Sequence, residues 1–216
     1  MSGHAFSLAG ATLTALPSGA LFWSAENLLC VADLHLGKSD RLARRSGALL
    51  PPYENRATLG RLDADLAATS ARNVICLGDS FDDLQASESL DEDDRLWLLR
   101  LMAGRRWTWI LGNHDPGPVD LGGAHLAEAY VRPLHFRHIA EPGATAEISG
   151  HYHPKMRLAG RSHRCFLVDT HRLILPAYGA YAGGLWCQDA ALTSLLRADA
   201  LAVLTGTKAI PVPMPR

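Results

Sequence analysis

Four short apolar runs each end in side chains that bind metals. LLCVADLHLGK carries Asp33 and His35, NVICLGDSFDD carries Asp79, WTWILGNHD carries Asn113 and His114, and AEISGHYHP carries His151 and His153. Carboxylate, imidazole and carbonyl-type oxygen are the mixed donors that divalent ions of the Mn²⁺ or Fe²⁺ type accept. Two such ions, about 3.5–4 Å apart, need a shared anionic ligand, and the pair can hold both the attacking and the leaving oxygens of a phosphoryl displacement. Asp79 is the natural bridge. Asn113 donates only a neutral amide oxygen, which suits a site already rich in anions. Neighbouring residues rarely both reach one metal, so His114 reads as an outer group. Asp115 could hydrogen-bond its ring and fix the tautomer, and a protonated His114 would stabilise charge on the phosphoryl group or protonate the leaving oxygen. For Asp33 alone, a helix or turn cap is an equal reading.

These side chains need strands to position them, because ligand sites of open α/β sheets lie beyond the carboxyl ends of strands. Residues 4–29 read as short strands (HAFSLAG, TLTAL, ALFWS) with a turn at Pro17-Ser18-Gly19. Buried strands follow at 28–32, 74–77 and 107–111. Between them, 53–71 has helical periodicity through Leu59, Leu62 and Leu66, with Pro51 and Pro52 suited to its start. A second helix spans 91–102, opened by Asp91-Glu92-Asp93-Asp94, which complement its dipole. Strands are expected at 127–132, 134–139 and 147–149. A hairpin is expected over 163–175, then a glycine-rich loop PAYGAYAGGL, a helical piece at 192–196 and one last strand over 202–212. Strand–helix alternation followed by mostly strands predicts two packed sheets with helices outside.

The segment 37–52 reads as a loop carrying Lys38, Arg41, Arg44 and Arg45. These cations form either a solvated basic face or a contact for substrate phosphates. Arg157, Arg161 and Arg164 after GHYHP add a second basic group. The formal net charge of −1 excludes a strongly basic, DNA-coating protein without excluding such local patches. The 216 residues suffice for one domain over 1–216, and 48% hydrophobic content is that of an ordinary globular chain. No run is long enough to span a bilayer and no signal peptide is read at the start, so a cytoplasmic protein is expected. Cys30, Cys76, Cys165 and Cys187 form no CxxC, and Cys30 and Cys76 read as core residues of buried strands.

The motifs DxH (Asp33, His35), GDxxD (Asp79 to Asp82), GNHD (Gly112 to Asp115) and GHxH (Gly150 to His153) resemble, in order and spacing, those of the calcineurin-like metallophosphoesterases. The resemblance implies a four-layer α/β/β/α sandwich of two mixed sheets flanked by helices. It implies that Asp33, His35, Asp79 and His153 hold one metal, and that Asp79, Asn113, His151 and a further histidine hold the second, with a shared water or hydroxide attacking phosphorus in line. The further histidine lies between GNHD and GHxH. His125, His135 and His138 are the candidates, and His138 is chosen because it ends the apolar strand LHFRHI. DLHLGK, LGDSFDD, FRH…EISGHYHP and LPAYGAYAGGL further resemble the ligase-associated DNA damage response endonuclease (PdeM-like) branch. That implies a phosphodiesterase or endonuclease using two divalent ions, Mn²⁺ first with Fe²⁺ or Zn²⁺ as alternatives. The substrate would be DNA, in bacterial repair beside a ligase and a helicase. Asp82 stands where that branch often has histidine, and its role is left open. The alternatives are a phosphodiesterase or phosphatase acting on a small nucleotide-type substrate, and a non-catalytic scaffold. A homodimer through the late strands is compatible with the sequence.

Overall fold

The computed structural model describes residues 2–47, 51 and 53–215. Its centre is three parallel strands, largely buried on both sides: β4 (Leu28–Val31), β5 (Asn73–Leu77) and β6 (Arg106–Ile110). Strands covered on both faces read as continuous apolar runs, which is why the sequence showed them so plainly. Along β5, Val74 and Cys76 pack toward helices while Ile75 and Leu77 pack toward a second sheet, the two-residue alternation of a strand.

Three antiparallel strands precede this centre: β1 (His4–Leu8), β2 (Ala11–Ala15) and β3 (Leu21–Trp23). A short β7 (Ala124–Leu126) closes the other edge, giving the order β1-β2-β3-β4-β5-β6-β7. The second sheet runs β15-β14-β12-β13-β10-β9-β8. It is built from β8 (Glu128–Val131), β9 (Leu134–Arg137), β10 (Glu147–Ser149), β12 (Arg161–Val168), β13 (Arg172–Ile174), β14 (Leu201–Leu204) and β15 (Ile210–Pro213), with β11 (Lys155–Leu158) paired to β12. β9, β10 and β13 are parallel, so their carboxyl ends share one side. Phe136, Ile148 and Phe166 meet Cys30, Ile75 and Ile110 between the sheets.

Outside the first sheet lie α2 (Glu54–Thr69) and α4 (Glu92–Met102), which bury Leu59, Leu62, Leu66, Leu98 and Leu101. Asp91 caps α4 by accepting the N–H of Asp93 at 3.0 Å. The outer face of the second sheet is covered by α5 (Ala190–Thr193) and its flanking loop through Leu192 and Leu196. Two mixed sheets with flanking helices therefore form the expected α/β sandwich. All four cysteines are buried and unpaired. Among the described residues no helix is long and apolar enough to cross a membrane.

Four local expectations are corrected. Lys38–Ser46 is a helix, α1, and not a loop; only Leu42 and Ala43 of KSDRLARRS are apolar, too few to mark a core-facing stripe. Ala48 to Leu50 and Pro52, the end of that expected loop, lie outside the described residues. Leu84–Glu88 forms a short α3, capped by Asp83, which accepts the N–H of Ala86 at 2.7 Å. The single late strand is a hairpin of β14 and β15. Strands β7 and β11 were not anticipated, being only three and four residues long.

Candidate metal centre

The carboxyl ends of β4, β5 and β6 converge with those of β9 and β10. Asp33 and His35 follow β4, Asp79 and Asp82 follow β5, and Asn113, His114 and Asp115 follow β6. His138 follows β9, and His151 and His153 follow β10. Beyond the strands the loops stay tied: the N–H of Asp33 donates to the carbonyl of Gly78 at 3.2 Å, and that of His35 to the carbonyl of Asp79 at 2.9 Å. Asp33, His35, Asp79, His151 and His153 all adopt positive φ, between 46° and 70°. Non-glycine residues rarely do so, and such strain persists where the surroundings over-determine it, commonly at functional sites.

Two clusters result. In one, His153 Nε2 lies 3.2 Å from Asp33 Oδ1 and 3.3 Å from His35 Nε2. In the other, His138 Nε2 lies 3.0 Å from Asn113 Oδ1, 3.2 Å from His151 Nδ1 and 3.4 Å from Asp79 Oδ2. Asp33–His35–His153 and Asp79–His138–His151 are each close enough to share one ion. Facing nitrogens and oxygens at these distances repel through their lone pairs unless a proton or a cation sits between them. Asp33 Oδ1 is moreover buried without a hydrogen-bond donor. The donor set thus fits a divalent cation in each cluster.

His138 is the histidine brought to the site from between GNHD and GHxH. His135 instead contacts Glu128 Oε2 at 2.9 Å and stacks on Tyr130 at the sheet edge, and His125 stacks on Trp109. The His138 Nδ1 faces the carbonyl of Leu77 at 2.9 Å, which directs Nε2 into the cluster. Burial by itself would lower the pKa of His138, but the Asp79 carboxylate and the charge of Asp33 outweigh it and raise it to about 9. Burial would likewise raise that of Asp79. His138 and the His114 N–H overcome this and hold the carboxyl well below its usual range.

Asp82, left open by the sequence, is fully buried, and its Oδ1 lies 2.7 Å from His35 Nδ1. Arg41 Nε donates to its other oxygen, and Lys38 Nζ is 3.7 Å away. Burial disfavours its charge, yet His35, Arg41 and Lys38 prevail and lower its pKa to about 2. A carboxylate on the far nitrogen orients a ligating imidazole and fixes its tautomer. Asp82 also joins His35 and His114 in a third compact group, but with both oxygens engaged it serves as a support for His35. Burial is what marks it, and the sequence does not show burial.

Two expected roles are corrected. Asp115 does not bond the His114 ring. It accepts the backbone N–H groups of Asp79 (2.9 Å), Gly112 (3.1 Å), Ser80 (2.8 Å) and Phe81 (3.1 Å), so it builds the loop that presents Asp79. Gly112 permits this: a Cβ there would stand 2.2 Å from the Asp79 nitrogen. The His114 ring Nδ1 is held instead by the main-chain oxygen of Asp82 at 2.9 Å. We expect Asp115→Ala to cost roughly 3–5 kcal/mol in chemical denaturation, because four N–H groups lose their acceptor. A cost below about 1 kcal/mol would show that solvent replaces the carboxylate. The second correction concerns the basic residues. Lys38 and Arg41 face Asp82, and Arg44 and Arg45 face Asp83, so these cations lie against the acidic turn and are not a free basic loop. Arg164 is likewise committed, donating to the carbonyls of Ala177 and Ala180.

Fold and site together define an α/β sandwich with paired histidine–carboxylate clusters at its strand ends. No protein-family model matches the sequence, and none of the curated proteins does. Among solved structures the chain is similar to the crystal structure of the Pseudomonas putida nuclease MPE, with a TM-score of 0.78 and 27% identity over 97% of this chain and 100% of that one.

Proposed function

We propose that this chain is a metal-dependent nuclease that hydrolyses phosphodiester bonds of DNA. The observation that carries the reading is the convergence of His35, His153 and Asp33, and of Asp79, His138 and His151, into two groups whose lone pairs face one another at 3.2–3.4 Å. The likeness to a nuclease along nearly the whole chain supports it. Asp33, His35 and His153 would hold one ion and Asn113, His138 and His151 a second, with Asp79 shared. Divalent ions in such sites polarise phosphoryl oxygens, lower the pKa of water and neutralise developing charge.

The protein's own groups do the rest. Asp115 fixes the backbone of the Asp79 loop. Asp82 holds His35 with its Nε2 toward the cluster. His114 donates its main-chain N–H to Asp79 Oδ1 at 2.8 Å, and its Nδ1–H is spent on the Asp82 carbonyl. The remaining Nε2 is free to carry a proton to the departing oxygen. The choice of manganese, and a place in DNA repair beside a ligase and a helicase, follow from the resemblance of the motifs.

A proton must leave His138 before its ring can bind a metal. With its pKa raised to about 9 in the metal-free protein, the proton is bound throughout the neutral range. Metal affinity at this cluster is therefore expected to rise about tenfold per pH unit between pH 6 and 8. Mn²⁺ titration by calorimetry at three pH values checks this, and a flat profile would count against His138 as a ligand.

One observation favours a second reading, hydrolysis of a small nucleotide-type phosphodiester: the cations of α1 already face the carboxylates of Asp82 and Asp83. Labelled single-stranded and duplex DNA, beside a chromogenic phosphodiester, separate the two when assayed with Mn²⁺ and with chelator. Cutting of DNA that the chelator abolishes is the expected result. Turnover of the small diester alone would establish the second reading. A folded protein with no metal-dependent turnover would leave the scaffold.

A further inference from the structure

The cations of α1 lie against Asp82 and Asp83, and β11 offers a nucleic-acid strand further ones. It starts two residues after His153, and its alternation buries Met156 while placing Lys155 and Arg157 on the opposite face. Trp186 runs alongside. The N–H of Lys155 donates to the carbonyl of Leu185, and that of Cys187 to the carbonyl of Lys155, both at 2.9 Å. Lys155 Nζ lies 4.7 Å from the centre of the indole ring and the Arg157 guanidinium 5.2 Å from it. The ring is 38% exposed. Among the described residues neither cation has a carboxylate at ion-pair distance.

The link to the metal centre is short. Gly184 sits on the His153 backbone, where a Cβ would be 1.9 Å from the carbonyl oxygen, and its φ of +153° also calls for glycine. A cavity of about 340 Å³ is lined by His151, Tyr152, His153, Gly184 and Leu185. Its walls thus run from two candidate ligands to the residue that precedes Trp186. An isolated exposed tryptophan needs no explanation. One flanked by two uncompensated cations beside a phosphoester site matches the way proteins hold unpaired strands, with bases stacked on aromatic rings and phosphates on cations.

We propose that Trp186, Lys155 and Arg157 form the surface that holds an unpaired stretch of nucleic-acid strand as it enters the metal centre, a base stacking on Trp186 and neighbouring phosphates pairing with Lys155 and Arg157. The proposal rests on the nuclease reading. It is tested by fluorescence anisotropy of a labelled single-stranded oligonucleotide with chelator-treated protein, so that neither metal nor turnover enters. Trp186→Ala is expected to weaken binding about tenfold, and Trp186→Phe to regain most of it. Lys155→Ala with Arg157→Ala is expected to weaken binding and to flatten the slope of log Kd against log salt by about 1.4, two contacts at about 0.7 each. Circular dichroism confirms that each variant folds, and Arg157→Ala alone serves if the double variant does not.

Absence of strand binding by the unaltered protein, unchanged Kd in these variants, or equally tight binding of blunt duplex overturns the proposal. The two readings separate cleanly. Protein that cuts DNA with Mn²⁺ but binds independently of these residues overturns this surface and leaves the nuclease standing. Protein that binds strands through them yet cuts no nucleic acid supports the surface and overturns the nuclease.

Discussion

Asp79→Asn is expected to lower kcat/KM by about 10³-fold or more, since the paired ions contribute several kcal/mol and each 1.36 kcal/mol is a factor of ten. Asp79 is the most constrained side chain of the centre. Its φ is +47°, its N–H is held by Asp115 at 2.9 Å, its Oδ1 accepts the His114 N–H at 2.8 Å, and its Oδ2 faces His138 Nε2 at 3.4 Å. Asparagine keeps the shape and removes the charge. Its NH₂ must then point at the His114 N–H or into the histidine cluster, opposing one donor with another. The variant should fold, lose bound metal as measured by elemental analysis of the purified protein, and hydrolyse the chromogenic diester at background rate. Activity within about tenfold of the unaltered enzyme would remove Asp79 from the shared position.

His114→Ala is expected to reduce kcat for DNA by about 10²–10⁴, the range of positioned acid–base groups, while metal content stays close to that of the unaltered protein. Its ring belongs to neither Asp33–His35–His153 nor Asp79–His138–His151; it meets His35 edge-on at 5.2 Å between centroids. The leaving group discriminates its role. Departing sugar alkoxide needs a proton, whereas a nitrophenolate does not. A proton donor should therefore matter much more for DNA than for the chromogenic diester. Equal losses on both substrates would make His114 a stabiliser of phosphoryl charge, and loss of metal would make it a ligand.

Much of the centre was legible because strand-end chemistry is local. An apolar run that ends in a donor residue declares both the strand and what it delivers, and four such runs carried Asp33, His35, Asp79, Asn113, His151 and His153. His138 was reached by the same logic at the end of β9. What failed depended on partners distant in sequence. Asp115 looked like the partner of its neighbour His114, yet the β6 loop turns it back onto the N–H groups of Asp79, Ser80 and Phe81. Lys38, Arg41, Arg44 and Arg45 looked like a free basic loop, because nothing in a one-dimensional pattern shows that Asp82 and Asp83, some forty residues later, fold against them.

The sequence by itself therefore determined the central strands and the kinds of donor at their ends, since periodicity and side-chain type are properties of short segments. Only the tertiary structure decided which charges are already paired. It made Asp82 a support for His35, set the cations of α1 against Asp82 and Asp83, and left Lys155 and Arg157 over Trp186. Charge pairing is settled by distance and burial, and both come from long-range packing of two sheets that no segment encodes alone.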